Sequence, residues 1–282
     1  MKILAIGDFH GKFPEKLRKI VRKEKPELIL STGDFANVDK IRKIIFKNWA
    51  KKWYDAVGLK QASRLEKEGF DSGLGILKKI NSLGRKIYLV WGNSDFYREY
   101  ETSEPPAIMP GFYDDKIKNM KNLNLVDKKR VRVSGVELIG HGGYVDVTEF
   151  IKNPVDKDKK NQKRRLRRYL KTAERLDKLI KRFKPEKGFI FLIHYTPYKI
   201  LDRVRMKSSP MNGKHVGFEP YNDIIKRFKP ALVVCGHMHE NPGTCRMGKT
   251  WVVNPGAAAD GRAAVIEFDE RMKRVLNVRF VR

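Results

Sequence analysis

Short apolar runs alternate along the chain with longer stretches in which apolar residues recur every three or four positions. The runs KILAIG, ELILSTG and IYLVWGN have the length and composition of buried strands. Between the first two runs, Leu17, Ile20 and Val21 have the spacing of one face of a helix. Such an alternation of strands and helices predicts a largely parallel central sheet with helices on its faces.

The same pattern continues in the second half of the chain and changes near its end. Buried strands are predicted in GFIFLIHYTP and ALVVCGHMHE, each after a predicted helix, at about 159–184 and about 221–229. The segments KTWVVNPG, AAVIEFDE and RVLNVRFVR are shorter and alternating, which predicts antiparallel strands. Two long segments, about 36–72 and about 144–187, have the character of insertions, so we expect one domain over residues 1–282.

Composition restricts the class of protein. Of the 282 residues, 41% are hydrophobic and 33% are charged, as in a globular protein with a sizeable core. No apolar run approaches the roughly 18–20 residues of a membrane helix, so no membrane partner is expected. Cys235 and Cys245 are the only cysteines, which favours a cytoplasmic protein without a disulfide framework.

The charge balance is unusual. Lysine and arginine number 61 against 33 aspartate and glutamate, a net charge of +28, which favours anionic substrates or nucleic acid. Segment 156–184 alone holds fourteen basic and four acidic residues. It is interpreted either as a solvated helix face or as a patch that binds nucleic acid. Its apolar positions have helical spacing and predict one core-facing stripe: Leu166, Leu170, Ala173, Leu176 and Ile180.

Polar side chains that can bind metals follow each of the five predicted buried strands. In chain order they are Asp8 and His10, then Asp34, then Asn93, then His194, then His237 and His239. In an open α/β sheet the carboxyl ends of the strands line one crevice, so we expect these side chains to lie together. Residues two apart on an extended chain point to the same side, which makes pairs of Asp8 with His10 and of His237 with His239.

Burying seven such groups without partners would be unfavourable, and divalent cations remove that cost. Seven ligands exceed a tetrahedral zinc site and suit two metals that share a carboxylate. Because the only nearby thiol, Cys235, lies within a strand, we expect two divalent ions, Mn²⁺ first, with iron, Zn²⁺, Mg²⁺ or Ni²⁺ as alternatives. Each residue also has an ordinary alternative role as a helix cap, a turn residue or a core histidine.

Taken in order, these motifs resemble those of the calcineurin-like metallophosphoesterases. The matching blocks are Asp8-Phe9-His10-Gly11, Gly33-Asp34, Gly92-Asn93, His194 and Gly236-His237-Met238-His239. The single-domain layout and the GNSD form of the third block resemble the branch near bacterial cyclic-nucleotide phosphodiesterases.

The resemblance implies both a fold and a division of the ligands. The implied fold class is α/β (α+β), a four-layer αββα sandwich with mixed central sheets flanked by helices. The implied first metal is held by Asp8, His10 and His239, the second is held by Asn93, His194 and His237, and Asp34 bridges both.

From this arrangement we expect a metal-dependent phosphoesterase. Two cations about 3.5–4 Å apart would activate a hydroxide for in-line attack on phosphorus, and phosphodiesters, including nucleotides or nucleic acid, are the expected substrates. Two alternatives stay open. One is a phosphomonoesterase that acts on a small metabolite or a phosphoprotein, and the other is a non-catalytic metal-binding scaffold.

The proton donor is the missing part of this chemistry. Many members of the family have a histidine directly after the asparagine ligand, taken to be the general acid, whereas this chain has Ser94 and then Asp95. The remaining candidates are Asp95, His141 in GHGG and His215 in GKHVGF, although a loop histidine is often only a surface residue. If none donates a proton, aryl phosphodiesters should be hydrolysed much faster than alkyl ones.

Overall fold

Twelve strands and eight α-helices make up the described part of this computed structural model, which covers residues 1–48, 52–98, 106–154, 158–206, 209 and 211–282. The strands are β1 (Lys2–Ile6), β2 (Leu28–Ser31), β3 (Lys86–Leu89), β4 (Leu123–Leu125), β5 (Arg130–Val133), β6 (Val136–His141), β7 (Ile190–Ile193), β8 (Leu232–Val234), β9 (Gly243–Met247), β10 (Thr250–Asn254), β11 (Ala263–Asp269) and β12 (Arg274–Val281). The helices are α1 (Glu15–Glu24), α2 (Asp39–Lys47), α3 (Trp53–Val57), α4 (Leu59–Asn81), α5 (Tyr113–Lys116), α6 (Thr148–Lys152), α7 (Lys159–Phe183) and α8 (Glu219–Phe228).

The strands form two mixed sheets. The first has the order β12-β11-β1-β2-β3-β4 and the second the order β5-β6-β7-β8-β10-β9. Each sheet has four adjacent parallel strands, β1 to β4 in the first and β6, β7, β8 and β10 in the second. Antiparallel strands complete both. The prediction of a single central sheet is therefore wrong, whereas the sandwich implied by the resemblance is confirmed.

Three apolar layers hold the sheets and helices together. Ile3 and Leu192 are among the side chains buried between the two sheets. On the outer face of the first sheet, Leu4 packs in a cluster with Leu17 of α1, and on the outer face of the second, Phe191 packs with Ile180 of α7. Both faces of each sheet are covered, which explains why the central strands are apolar at consecutive positions.

Three helices end in the same way before a strand of the parallel cores. Lys25, Lys184 and Lys229 follow α1, α7 and α8, each in the left-handed conformation with its N–H bonded to a carbonyl of the last helical turn. A proline follows each lysine, and it cannot continue a helix because it has no N–H. The Lys-Pro pairs therefore return the chain to the sheets.

Two parts of the sheets differ from the sequence prediction. In the last third, β11 and β12 pair antiparallel as predicted, whereas β10 pairs antiparallel with β9 on one side and parallel with β8 on the other. The strands β4, β5, β6 and β9 were not predicted at all. Ser134 and Gly135, both with positive φ, form the two-residue turn between β5 and β6, and this Ser-Gly pair between alternating segments was the signal available in the sequence.

The two segments predicted as insertions contain helices that surround the functional site. Residues 36–72 hold α2, α3 and the first half of α4, with a small core of their own that includes Ile41 and Trp53. Residues 144–187 hold α6 and α7, although residues 155–157 lie outside the described ranges.

The predicted core-facing stripe of α7 is only half correct. Leu176 and Ile180 are buried, but Leu166 and Leu170 are exposed, because the first half of the helix extends beyond the cluster that covers its second half. Throughout the described ranges, no helix combines the length and apolar character that crossing a membrane requires.

Candidate metal centre

The seven predicted ligands lie in loops at the carboxyl ends of parallel strands from both sheets. In the first sheet, Asp8 and His10 follow β1, Asp34 follows β2 and Asn93 follows β3; in the second, His194 follows β7, and His237 and His239 follow β8. The crevice therefore lies where the strand ends of two sheets meet, and not along the edge of one.

One group of ligands consists of Asp8, His10 and Asp34. Each offers a donor atom, and these atoms all lie within 4.8 Å of one another. The ring of His239 lies beside them, with its centroid 5.3 Å from that of His10. This is the set that the family resemblance implies for one metal.

A second group consists of Asp34, His194 and His237, with donor atoms again within 4.8 Å of one another. Asn93 joins it, because its Oδ1 lies 2.9 Å from His194 Nε2 and 2.8 Å from His237 Nδ1. Asp34 belongs to both groups. Its Oδ1 lies 3.6 Å from His194 Nε2, and its Oδ2 lies 3.9 Å from His10 Nε2.

Unpartnered polar atoms show that these residues fit metal ions. Among the described residues, Asp8 Oδ2 and both ring nitrogens of His10 are buried without a hydrogen-bond partner. Leaving such groups unsatisfied costs about 1–3 kcal/mol each, and more for a charged group. Carboxylate, amide and imidazole donors are the ligands that Mn²⁺, Fe²⁺ and Zn²⁺ accept. The donor set is therefore suited to divalent cations.

Burial favours the neutral forms of the candidate ligands. A bound cation would reverse this for Asp8 and would make use of it for the histidines. Burial raises the pKa of Asp8 well above its usual range, and the neighbouring charge of Asp34 raises it further. Burial lowers the pKa of His10 to about 4 and also lowers that of His237. Neutral imidazoles keep a lone pair for a metal, and a cation would favour the charged form of Asp8.

The backbone at the site is strained. Asp8, His10, Asp34 and His237 have φ values of 55°, 43°, 57° and 63°, in the left-handed region that residues other than glycine seldom adopt. Each such residue costs about 1 kcal/mol or more and persists where the surroundings impose it, most often at functional sites. The loops thus hold these ligands in place at the expense of stability.

Asp95, a candidate proton donor, instead fixes the loops after β2 and β3. Its Oδ2 accepts the N–H groups of Asp34 and Gly92 at 2.9 and 2.7 Å, and its Oδ1 accepts those of Phe35 and Ala36 at 2.7 and 3.3 Å. Burial raises the pKa of Asp95 to about 7, the charge of Asp34 adds to this, and the backbone N–H groups oppose it. Both oxygens are engaged, so this carboxylate positions Asp34.

The close approach of these two loops requires glycine. A Cβ on Gly33 would collide with the backbone of Gly92, and a Cβ on Gly92 would collide with Asp34. The Gly-Asp and Gly-Asn pairs seen in the sequence therefore have a steric cause.

Two backbone groups that sequence reasoning missed orient the ligands. Thr32 O lies 2.7 Å from His194 Nδ1, which makes Nδ1 the donor and leaves Nε2 free to bind a metal. The N–H of His237 donates to Asp8 Oδ1 at 3.0 Å. No side-chain pattern reveals such main-chain partners.

The structure does not bring His141 or His215 to the cleft above the ligands, within the part of the chain that it describes. His141 ends β6, is buried, and has its Nδ1 2.7 Å from Tyr221 Oη. His215 has its Nδ1 2.6 Å from Asp202 Oδ1. Their predicted role as proton donors therefore has no geometric support, because the sequence does not show where a loop lies relative to the crevice.

The cleft itself has a volume of about 500 Å³. His10, Asp34, Asn93, His237 and His239 line its metal-binding side, and Ser94 and Tyr195 lie beside them. Much of the remaining wall is apolar, and about half of its apolar residues come from the two segments predicted as insertions. The helical spacing of Ile41 and Ile45 was the sequence signal for this wall.

Comparison with known proteins agrees with the geometry. The family model of the calcineurin-like phosphoesterases matches residues 1–241. The uncharacterised protein MJ1162 of Methanocaldococcus jannaschii is 23% identical over 259 residues, which are 90% of this chain and 88% of that protein.

Solved structures with a similar fold include two hydrolases. The phosphopantetheinyl hydrolase PptH from Mycobacterium tuberculosis has a TM-score of 0.52 and 15% identity, covering 99% of this chain and 95% of that one. A dimetal phosphatase from Danio rerio has a TM-score of 0.50 and 8% identity, covering 94% and 92%. At such identities the likeness establishes a shared fold.

Proposed function

This chain belongs to the calcineurin-like phosphoesterases, and from that premise we propose that it hydrolyses phosphodiester bonds at a dinuclear metal centre. Metal-dependent hydrolysis of phosphoesters is the activity of the family. The observation that carries the proposal of two metals is the position of Asp34, whose two oxygens face His194 and His10 in separate ligand groups.

The proposed ligand sets follow these groups. Asp8, His10 and His239 would hold one ion, and Asn93, His194 and His237 would hold the other, with Asp34 available to both. Mn²⁺ is the ion we propose, because six-coordinate ions accept carboxylate, amide and imidazole ligands together. When bound, the two cations supply Lewis-acid chemistry: they lower the pKa of water and balance charge on phosphate oxygens.

The protein's own residues orient the substrate and the ligands. Thr32 and Asp95 fix His194 and Asp34 through main-chain hydrogen bonds, so little reorganisation is needed when a substrate arrives. Arg42 and Arg165 line the same cleft and can attract an anionic substrate. The room above the ligands supports a phosphodiester, which carries a group on each side of phosphorus, over a monoester.

No histidine follows Asn93 to protonate the departing oxygen. Ser94 occupies the position after Asn93, lines the cleft, and donates its backbone N–H to Asp34 Oδ1 at 2.9 Å. A serine hydroxyl is a weak acid at neutral pH, so we propose that the natural leaving group departs without full protonation. Single-turnover rates should then fall steeply as the pKa of the leaving group rises, and comparable rates for aryl and alkyl diesters would contradict this.

Metal removal and one substitution test the proposed activity. A chelator should abolish hydrolysis of bis(4-nitrophenyl) phosphate, and added Mn²⁺ should restore it. Asp34→Asn should lower kcat/KM by at least about a hundredfold, because both ligand groups lose a shared carboxylate. His215→Gln is the control and should retain wild-type activity. A chain that never hydrolyses phosphoesters yet binds Mn²⁺ would be the scaffold of the alternative hypothesis.

We also propose a polyanionic partner, nucleic acid, for segment 156–184. Lys163, Arg164, Arg167 and Lys171 of α7 are exposed, whereas Arg168 bonds to the buried Asp146. If this face binds nucleic acid, log K should fall linearly with log salt. Neutralising three of the exposed α7 cations should flatten that slope more than neutralising Lys19, Arg22 and Lys23 of α1. A log K that does not change with salt concentration would remove this partner.

A further inference from the structure

The cleft above the ligand cluster is more apolar than a phosphate group requires. Its wall includes aliphatic side chains from well-separated segments: Ile41, Ile45, Val147, Val204, Met206 and Met211. Phosphate binding uses charged and polar groups, so this wall has to contact another part of the substrate. Apolar walls with a few polar groups at one end are typical of sites for small amphiphilic ligands.

Large apolar side chains are also exposed to solvent at this cleft. Ile45 is 36% exposed, Phe46 45% and Met206 46%, and all three line the cleft. Ile45 and Phe46 belong to α2, whereas Met206 lies far along the chain, before α8. Exposed apolar groups that converge on one concave site mark a surface that a ligand covers.

The chemistry of this wall favours a hydrocarbon over a nucleobase. Bases are usually recognised by aromatic stacking and by hydrogen bonds to their edges. The wall includes the rings of Phe46, Phe96 and Phe150, but valine, isoleucine and methionine make up most of its apolar residues. These side chains offer neither stacking nor hydrogen bonds, and methionine adapts well to flexible hydrocarbon chains. The cations in the cleft, Arg42 and Arg165, are partly engaged with Asp39 and Asp146, at 3.1 and 3.3 Å.

We propose that the substrate is an amphiphilic phosphoester, with its phosphate on the metal ligands and a hydrocarbon chain along the apolar wall. The proposal rests on the phosphoesterase function above, because the metal ligands place the phosphate. It assigns Ile45 and Met206 as specificity-determining residues. The substrate in the cleft is then a small molecule, and any polynucleotide would bind to the outer face of α7.

Binding of two simple alkyl phosphates tests this directly. Calorimetry on the Mn²⁺-loaded protein should give a Kd for hexyl phosphate about a hundredfold below that for methyl phosphate, since each buried methylene adds to affinity. The double variant Ile45→Asn/Met206→Asn should lose at least about tenfold in affinity for hexyl phosphate and keep its affinity for methyl phosphate. Met272→Asn/Leu276→Asn, also at exposed apolar positions, is the matched control and should behave as wild type.

Turnover of 4-nitrophenyl methyl and 4-nitrophenyl hexyl phosphate, which share a leaving group, separates the two proposals. Equal Kd values for the two alkyl phosphates, together with equal kcat/KM values for the two diesters, would overturn the proposal of an amphiphilic substrate. They would not contradict the phosphoesterase function. Affinity that rises with alkyl chain length, without any turnover, would support the hydrocarbon site and overturn the phosphoesterase function. A dinucleotide that binds more tightly than hexyl phosphate would overturn the hydrocarbon assignment in favour of nucleic acid.

Discussion

Ser94 directly follows Asn93, where the resemblance to the family leads us to expect a histidine, and its side chain lines the cleft. Ser94→His should raise the single-turnover rate on alkyl phosphodiesters at least about tenfold, because a positioned acid contributes most when the leaving group is poor. Rates on aryl diesters should change little. Ser94→Ala is the control; if it slows alkyl hydrolysis as strongly as S94H accelerates it, the hydroxyl is itself the acid.

His141, predicted as a proton donor, is instead expected to make the stability of the fold depend on pH. Burial, with a smaller effect of Lys128, lowers its pKa from 6.5 to about 3. Between these values the unfolded chain binds a proton that the folded chain does not, so the free energy of unfolding falls as the pH falls. The contribution is about 1.4 kcal/mol per pH unit.

Urea unfolding between pH 6.5 and pH 4 measures this contribution. The wild-type protein should lose stability more steeply with falling pH than His141→Gln, which has no titrating group at the same position. Parallel pH profiles for the two proteins would show that His141 does not titrate as its burial requires.

At the scale of single residues, the sequence was most informative where chemistry and position coincide. Asp8, Asn93 and the other ligands were predicted because each follows a buried strand and has a metal-binding side chain. The main-chain partner of His194, Thr32 O, could not be predicted, because every residue has a carbonyl. Whether His141 and His215 lie close enough to the crevice to donate a proton could not be decided until the loops were placed.

At the scale of elements, Asp95 joins two loops that come from different strands. Its four backbone hydrogen bonds link the turn after β2 to the turn after β3. Asp95→Asn replaces an acceptor with a donor that faces N–H groups. We expect the free energy of unfolding to fall by about 3 kcal/mol and the affinity for Mn²⁺ to fall as well, because Asp34 loses its support.

Urea unfolding and calorimetric Mn²⁺ titration test this role, and Asp115→Asn is the matched control. Asp115 is an exposed partner of Arg98 and Lys118, and such solvent-screened surface pairs contribute little to stability. If D95N destabilised the protein no more than D115N, Asp95 would not be the link between the loops.

The positions of the buried strands were predicted well, but the strands with which they pair were not. The runs that became β1, β2, β3, β7 and β8 were recognised because a strand covered on both faces is apolar throughout. Their division between two sheets was not visible, since any of them could pair with any other. The parallel position of β10 beside β8 depends on the same long-range choice.

At the scale of the whole molecule, the segments predicted as insertions supply walls of the cleft. Ile41 from residues 36–72 and Val147 from residues 144–187 line one cavity above the metal ligands. The sequence indicated that both segments were additions to a scaffold, but contacts between distant segments leave no periodic signal. The proposed sites of chemistry and of substrate selection are thus encoded differently, the first in strand-end motifs and the second in segments between those motifs, including the one before α8 that holds Met206.

We propose that Asp34 serves two metal ions held by side chains from both sheets. The most direct measurement is an anomalous difference map from crystals of the Mn²⁺-loaded protein, recorded at the manganese absorption edge. Two peaks about 3.5–4 Å apart are expected, one on each side of the Asp34 carboxylate. A single peak, or two peaks of which neither lies beside Asp34, would contradict it.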